Sequence, residues 1–156
     1  MSEHEGEGGS GPADSARVTG IAHVAIAVRA ADPLVESLVG ALGAVRGTEE
    51  LLDGGALRVV FLHLGPLTLE LLEPCSPEHT VARFLARRGE GLHHLSLDVE
   101  DLEGALGSCR RAGAELIDET PRPGAHGTQV AFLHPKSLGG VLLELCQRGK
   151  TDPPPG

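Results

Sequence analysis

The sequence has few aromatic side chains, no excess of positive charge and no long apolar run, and each absence excludes a class of protein. Its 156 residues include three Phe and no Trp or Tyr, too few for the stacking platforms that bind single-stranded nucleic acids. A net charge of −9 provides no general basic surface for phosphates. No apolar run approaches the roughly 20 residues of a membrane span. We therefore expect neither a nucleic acid partner nor a membrane protein.

Cysteine pairs and an apolar leader are also lacking. Cys75, Cys109 and Cys146 are odd in number and form no CxxC motif, so neither a disulfide framework nor a thiolate metal site is expected, and a cytoplasmic location fits. Residues 1–17 contain neither a secretory signal nor a mitochondrial presequence. We predict disordered tails at residues 1–17 and 149–156 around a single domain at 18–148.

A degenerate internal repeat is present. His23 and His94 begin the runs HVAIAV and HLSLDV, and they lie 71 residues apart. Glu70 and Glu144 each follow a glycine by five residues, in GPLTLE and GGVLLE, and they lie 74 residues apart. Such similar offsets favour duplication over chance.

Each copy has the pattern of a βαβββ module, which predicts an α+β fold. Asp32 and Pro33 are typical of a helix start, and Gly43 can end that helix. In the second copy Leu102, Ala105 and Leu106 have helical spacing. We predict module one at 18–74, a linker helix at 76–89 and module two at 91–148. Further strands are predicted at 44–50, 56–64, 67–73, 114–118, 128–134 and 141–147.

The repeated histidines and glutamates indicate one metal site. Alternation along a strand places each histidine on the face opposite its apolar neighbours, and each glutamate interrupts an apolar run. A buried carboxylate is costly unless it is paired, hydrogen-bonded or bound to metal. Any one of these residues alone is typical of a structural role, but the duplicated pair favours a divalent ion on His23, Glu70, His94 and Glu144. Cobalt, manganese, nickel or zinc would suit these ligands, and His93 is predicted to point to the other face.

Six motifs resemble the vicinal oxygen chelate superfamily and, within it, the methylmalonyl-CoA epimerase family. They are HVAIAV at 23–28, ELLEP at 70–74, RGEGLHH at 88–94, GAHG at 124–127, FLHPKS at 132–137 and GGVLLEL at 139–145. The resemblance implies a cupped, barrel-like mixed sheet around the metal, with cobalt favoured, in a homodimer. It also implies metal-assisted interconversion of the (R) and (S) epimers of an acyl-CoA, methylmalonyl-CoA, through an enolate. Glu144 would be a catalytic base as well as a ligand.

The resemblance leaves several points open. A second base is expected on the strand at 56–64, but the aligned residue is Arg58, so Glu49, Glu50 or a metal-bound water would relay the second proton. Lys136 and Ser137 are predicted to contact CoA or substrate, because they precede the strand that carries Glu144. The alternatives are another metal-dependent enzyme of the superfamily, either a glyoxalase-type lyase or isomerase or a dioxygenase, and a metal-free small-molecule binding module.

Overall fold

The computed structural model describes residues 12–13 and 16–149, so most of the two predicted tails lies outside the described residues. Within these ranges the helices are α1 (Ala31–Leu42), α2 (Thr80–Arg88) and α3 (Leu102–Arg111). The strands are β1 (Val18–Ala27), β2 (Val45–Leu52), β3 (Leu57–Leu64), β4 (Leu67–Pro74), β5 (Gly91–Val99), β6 (Arg122–Pro123), β7 (Gln129–Leu133) and β8 (Leu143–Gln147). Among the described residues, no helix has the length and apolarity to cross a membrane.

All eight strands form one sheet in the order β2-β3-β4-β1-β5-β8-β7-β6. β1 and β5 pair antiparallel at its centre, β4 runs parallel to β1, and β8 runs parallel to β5. The two halves of the sheet therefore mirror each other about the β1–β5 pair. The prediction of an α+β fold with two tandem βαβββ modules in one cupped mixed sheet is confirmed.

The helices cover the sheet unequally. On one face, α1 packs against module one through Val35, and α3 packs against module two through Leu102 and Leu106. On the opposite face, α2 packs Val81 and Leu85 against module one only. Because alternate residues of a strand face opposite sides, this leaves the second half of the concave face open for polar side chains.

Two helix starts differ from the prediction because side chains distant in sequence cap them. α1 begins at Ala31 rather than after Asp32, since the Ala31 amide donates to Glu73 Oε2 at 2.7 Å. α2 begins at Thr80 rather than near residue 76, since His79 Nδ1 accepts from the Val81 amide at 3.1 Å. The end of α1 at Gly43, in the left-handed conformation, agrees with the prediction.

The predicted strand at 114–118 is wrong. Leu116 forms an isolated bridge with Leu133, and the Asp118 carboxylate accepts from the Phe132 amide at 2.8 Å. A side chain thus takes the place of a backbone ladder partner. The edge strand of module two is instead the two-residue β6, which ends at Pro123, because proline cannot donate to a ladder and is tolerated at sheet edges.

Candidate metal centre

The register of the central strands places the four repeated residues on one face. Glu70 pairs with Ala25, and Glu144 pairs with Ser96. Each partner lies two residues after the histidine of its own module, so histidine and glutamate point to the same side of the sheet. Because β1 and β5 are neighbours, both His–Glu pairs meet at the centre of the concave face.

The four side chains converge around His23. Its Nε2 lies 2.7 Å from Glu70 Oε2, 3.5 Å from Glu144 Oε1 and 3.1 Å from His94 Nε2. His94 Nε2 is 3.8 Å from Glu144 Oε2. Among the described residues, His23, His94 and Glu144 can offer ligand atoms that all lie within 4.8 Å of one another. Glu70 adjoins this group through His23.

The electrostatics of the cluster suit a cation. Burial, reinforced by the charges of His23 and His93, holds the pKa of His94 well below its usual value, so its ring is neutral and able to ligate. Burial raises the pKa of Glu144 to about 7, although His23 opposes this. Burial lowers the pKa of His23, but the hydrogen bond and charge of Glu70 and the charge of Glu144 outweigh burial and raise it. Two buried carboxylates thus draw positive charge to donors that match a borderline divalent ion.

His93 does not point to the other face as predicted. The β1–β5 register shifts between Ala25 and Ile26, which pair with His94 and Leu92, so His93 is left without a partner in β1. Its Nδ1 lies 2.8 Å from His94 Nδ1, and its ring contacts Phe84 of α2 edge-on. This irregularity interrupts the strict alternation on which the prediction depended.

A cavity of about 560 Å³ opens over the cluster. Its two walls carry matching aromatic rings, because Phe61 pairs with Glu70 and Phe132 pairs with Glu144 across neighbouring strands. The Phe132 ring contacts His94 at 5.1 Å and carries the Arg122 guanidinium at 5.2 Å. Each glutamate is therefore flanked by a phenylalanine that closes the apolar side of the cavity.

His126 links the two modules across this cavity. It lies in a turn between β6 and β7, yet its Nε2 is 2.6 Å from Thr48 Oγ1 and its amide donates to Glu50 Oε2 at 3.1 Å. Its ring packs on Phe61 with a centroid distance of 4.4 Å. The sequence offered only a histidine between glycines as a signal, and no spacing rule connects it to β2.

Arg58 and Glu49 lie away from the cavity. The Arg58 guanidinium donates to Glu49 Oε1 at 2.5 Å, to Asp32 Oδ1 at 3.0 Å and to Glu73 Oε2 at 3.2 Å. The hydrogen bond from Arg58 holds the pKa of Glu49 below its usual value. Neither residue lines the cavity, so the suggestion that Glu49 relays a proton is wrong. Glu50 also lies outside the lining and is bonded to the backbone of His126.

Lys136 and Ser137 occupy a 3-10 turn at Pro135–Ser137, between β7 and β8. The Ser137 hydroxyl accepts from the Glu115 amide at 2.9 Å, and neither residue lines the cavity. Their contact with CoA stays a prediction. Arg122, by contrast, does line the cavity and presents a half-exposed guanidinium there.

Comparison with known proteins agrees with this arrangement. Residues 22–132 match the model of the glyoxalase/bleomycin resistance protein/dioxygenase superfamily. The ethylmalonyl-CoA/methylmalonyl-CoA epimerase of Cereibacter sphaeroides is 36% identical over 127 residues, which cover 80% of this chain and 95% of that protein.

Solved structures of epimerases have the same fold. A methylmalonyl-CoA epimerase from Mycobacterium tuberculosis aligns with a TM-score of 0.80 and 34% identity, over 85% of this chain and 89% of that one. A methylmalonyl-CoA epimerase in complex with methylmalonyl-CoA and NH4+ aligns with a TM-score of 0.80 and 30% identity, over 88% of this chain and 100% of that one.

Proposed function

The chain belongs to the glyoxalase/bleomycin resistance protein/dioxygenase superfamily, and we propose that within it the protein is a metal-dependent methylmalonyl-CoA epimerase. One observation carries the proposal. The buried His–Glu pairs of the two modules converge on a single cation-attracting cluster at the base of a cavity. The epimerases among its relatives give that cluster a substrate class.

The cavity residues divide into those that hold a cation and those that shape the space around it. His23, Glu70, His94 and Glu144 would hold a divalent ion, which when bound stabilises negative charge on the substrate oxygens. Phe61 and Phe132 make the neighbouring walls apolar, which limits water near the reacting carbon. Arg122 offers positive charge beside Phe132 to an anionic group of the acyl-CoA.

Glu144 is the proposed base. Epimerisation removes the proton from a carbon between a thioester and a carboxylate, and the same carbon then receives a proton on its opposite face. A base works best when its pKa is near the working pH, and burial raises the pKa of Glu144 to about 7. One oxygen of Glu144 lies near each histidine, so the carboxylate is already within the cluster where the enolate charge would develop.

The second proton carrier is proposed to lie on the wall of module one. Arg58 and Glu49 are excluded because they pair with each other away from the cavity. His126 lines the cavity against Phe61, the neighbour of Glu70, whereas Glu144 adjoins Phe132. An imidazole there can receive or return a proton on the side of the substrate that faces module one.

The resemblance to the epimerase family supports three further parts of the proposal. These are cobalt as the preferred ion, a homodimer and a cytoplasmic location. The domain at 18–148, with modules at 18–74 and 91–148, is the unit to which the proposed activity is assigned. Lys136 and Ser137 remain proposed contacts for the CoA portion of the substrate.

Hydrogen exchange tests the proposal directly. The cobalt-loaded protein is incubated with methylmalonyl-CoA in D2O, and α-deuterium is followed by mass spectrometry against the metal-free protein. We expect exchange that needs metal and is lost in Glu144→Gln. Absence of exchange above the metal-free control would overturn the epimerase assignment, and oxygen consumption or thioester loss without exchange would favour the dioxygenase or lyase alternatives instead.

A further inference from the structure

The two modules differ beside their ligand glutamates. At the position paired with Glu70, module one has Ala25, and at the position paired with Glu144, module two has Ser96. Both residues are fully buried, with no exposed surface. A hydroxyl in such a place costs free energy unless it is hydrogen-bonded, so the serine needs a partner that the alanine does not.

That partner is the glutamate itself. Ser96 Oγ donates to Glu144 Oε1 at 2.7 Å, and both groups are buried. The same oxygen is 3.5 Å from His23 Nε2, while Oε2 is 3.8 Å from His94 Nε2. The hydroxyl therefore fixes the rotation of the carboxylate so that one oxygen faces the histidine of each module. Glu70 has the methyl group of Ala25 at the equivalent place and depends on His23 for its orientation.

We propose that Ser96 is a positioning residue of the metal centre, which sets the Glu144 carboxylate for the ion before the ion binds. The inference rests on the proposed metal site but not on the substrate. Groups that orient a metal ligand typically change metal affinity or activity by about 10–100-fold when they are removed. Ser96 does this from within β5, because its strand pairing with Glu144 leaves the hydroxyl no other direction.

Metal affinity without substrate tests the role. The metal-free protein is titrated with Co²⁺ against a chromophoric chelator, and the visible spectrum of the bound ion is recorded. We expect Ser96→Ala to weaken Co²⁺ binding by about 10–100-fold and to alter the spectrum. Ser37→Ala is the matched control, because Ser37 is exposed on α1 and its hydroxyl bonds only to Pro33 O at 3.0 Å; it should leave both unchanged.

A double variant separates positioning from simple core packing. If Ser96 acts through Glu144, then Ser96→Ala should add little further loss of affinity in a Glu144→Ala background. Ser96→Cys, which keeps the side-chain shape with a weaker donor, should lie between wild type and Ser96→Ala, and it carries the test if the alanine variant does not fold. Co²⁺ affinity and spectra equal to wild type, with only the thermal midpoint lowered, would overturn the inference.

The result is independent of the hydrogen exchange experiment. Wild-type protein that binds Co²⁺ with a Ser96-dependent affinity would support the inference even if methylmalonyl-CoA gave no exchange. Wild-type protein that fails to bind Co²⁺ would overturn both the metal site and the role of Ser96.

Discussion

The two modules are alike at the centre of the sheet and unlike at its edges. β1 and β5 are ten and nine residues long, and each pairs parallel with the strand that carries its glutamate. At the edges, β2 has eight residues and β6 has two. The metal cluster uses only central strands, whereas the cavity above it is bounded by the edges.

This difference shows which parts of a duplicated unit the site constrains. A shared ion needs a histidine and a glutamate from each copy at fixed register, so the central strands must keep their pairing. The edge of module two is free to shorten, and the chain released there forms the turn that brings His126 to Thr48 of module one. The same duplication thus provides a symmetric metal site under an asymmetric roof.

The sharpest way to break the symmetry is to compare the two glutamates. Glu144→Gln removes the proposed base, and we expect kcat to fall by about 10²–10⁴-fold, the usual contribution of general base catalysis. Glu70→Gln removes a ligand only, so its loss should appear mainly as weaker metal binding and should recover at high metal. Steady-state kinetics at saturating Co²⁺ measures both, and equal losses in kcat would contradict the division of roles.

The histidines should behave as equals. His23→Ala and His94→Ala each remove an imidazole from the cluster, and we expect either change to leave the purified protein without stoichiometric metal and with activity reduced accordingly. Elemental analysis of protein loaded with Co²⁺ and freed of excess ion checks this. His63→Ala, which changes a histidine lining the same cavity beside Thr68, is the matched control and should retain metal. Wild-type metal content in both variants would show that the ligand assignment is wrong.

His126→Ala tests the asymmetric roof. Loss of its hydrogen bond to Thr48, worth about 1 kcal/mol, corresponds to about a fivefold change in an equilibrium, so KM for methylmalonyl-CoA should rise by at least that factor. A fall in kcat as well would support its role as second proton carrier. His134→Ala changes a histidine outside the cavity lining and should have neither effect. If His126→Ala matched that control, the contact between modules would be irrelevant to the substrate.

The smallest effect is expected on the outer side of module one. Arg58→Ala removes ion pairs to Glu49, Asp32 and Glu73, which are partly exposed, so we expect a loss of about 1–2 kcal/mol. Thermal unfolding should show a midpoint lower by a few degrees, with kcat unchanged. A large fall in kcat would return Arg58 to the active site.

The sequence predicted what strand periodicity and the repeat control. The spacing of His23 from Glu70 and of His94 from Glu144 was enough to find the cluster and the duplicated fold, because register and alternation follow from local pattern. The misses have tertiary causes. The register shift beside Ala25 redirected His93, the Asp118 carboxylate replaced a predicted strand, and Glu73 moved the start of α1. Thr48 and His126 meet only because the sheet curves.

The backbone of His126 has a consequence for thermostability. At φ 55° it adopts the left-handed conformation, which glycine adopts without steric cost and histidine only uncommonly. His126→Gly would therefore relieve local strain of about 1 kcal/mol, partly offset by a more flexible unfolded chain, while removing the imidazole from the cavity. Selection for heat resistance alone would tolerate that change. Selection for turnover should retain the histidine, so this position can reveal which of the two pressures has acted on a given homologue.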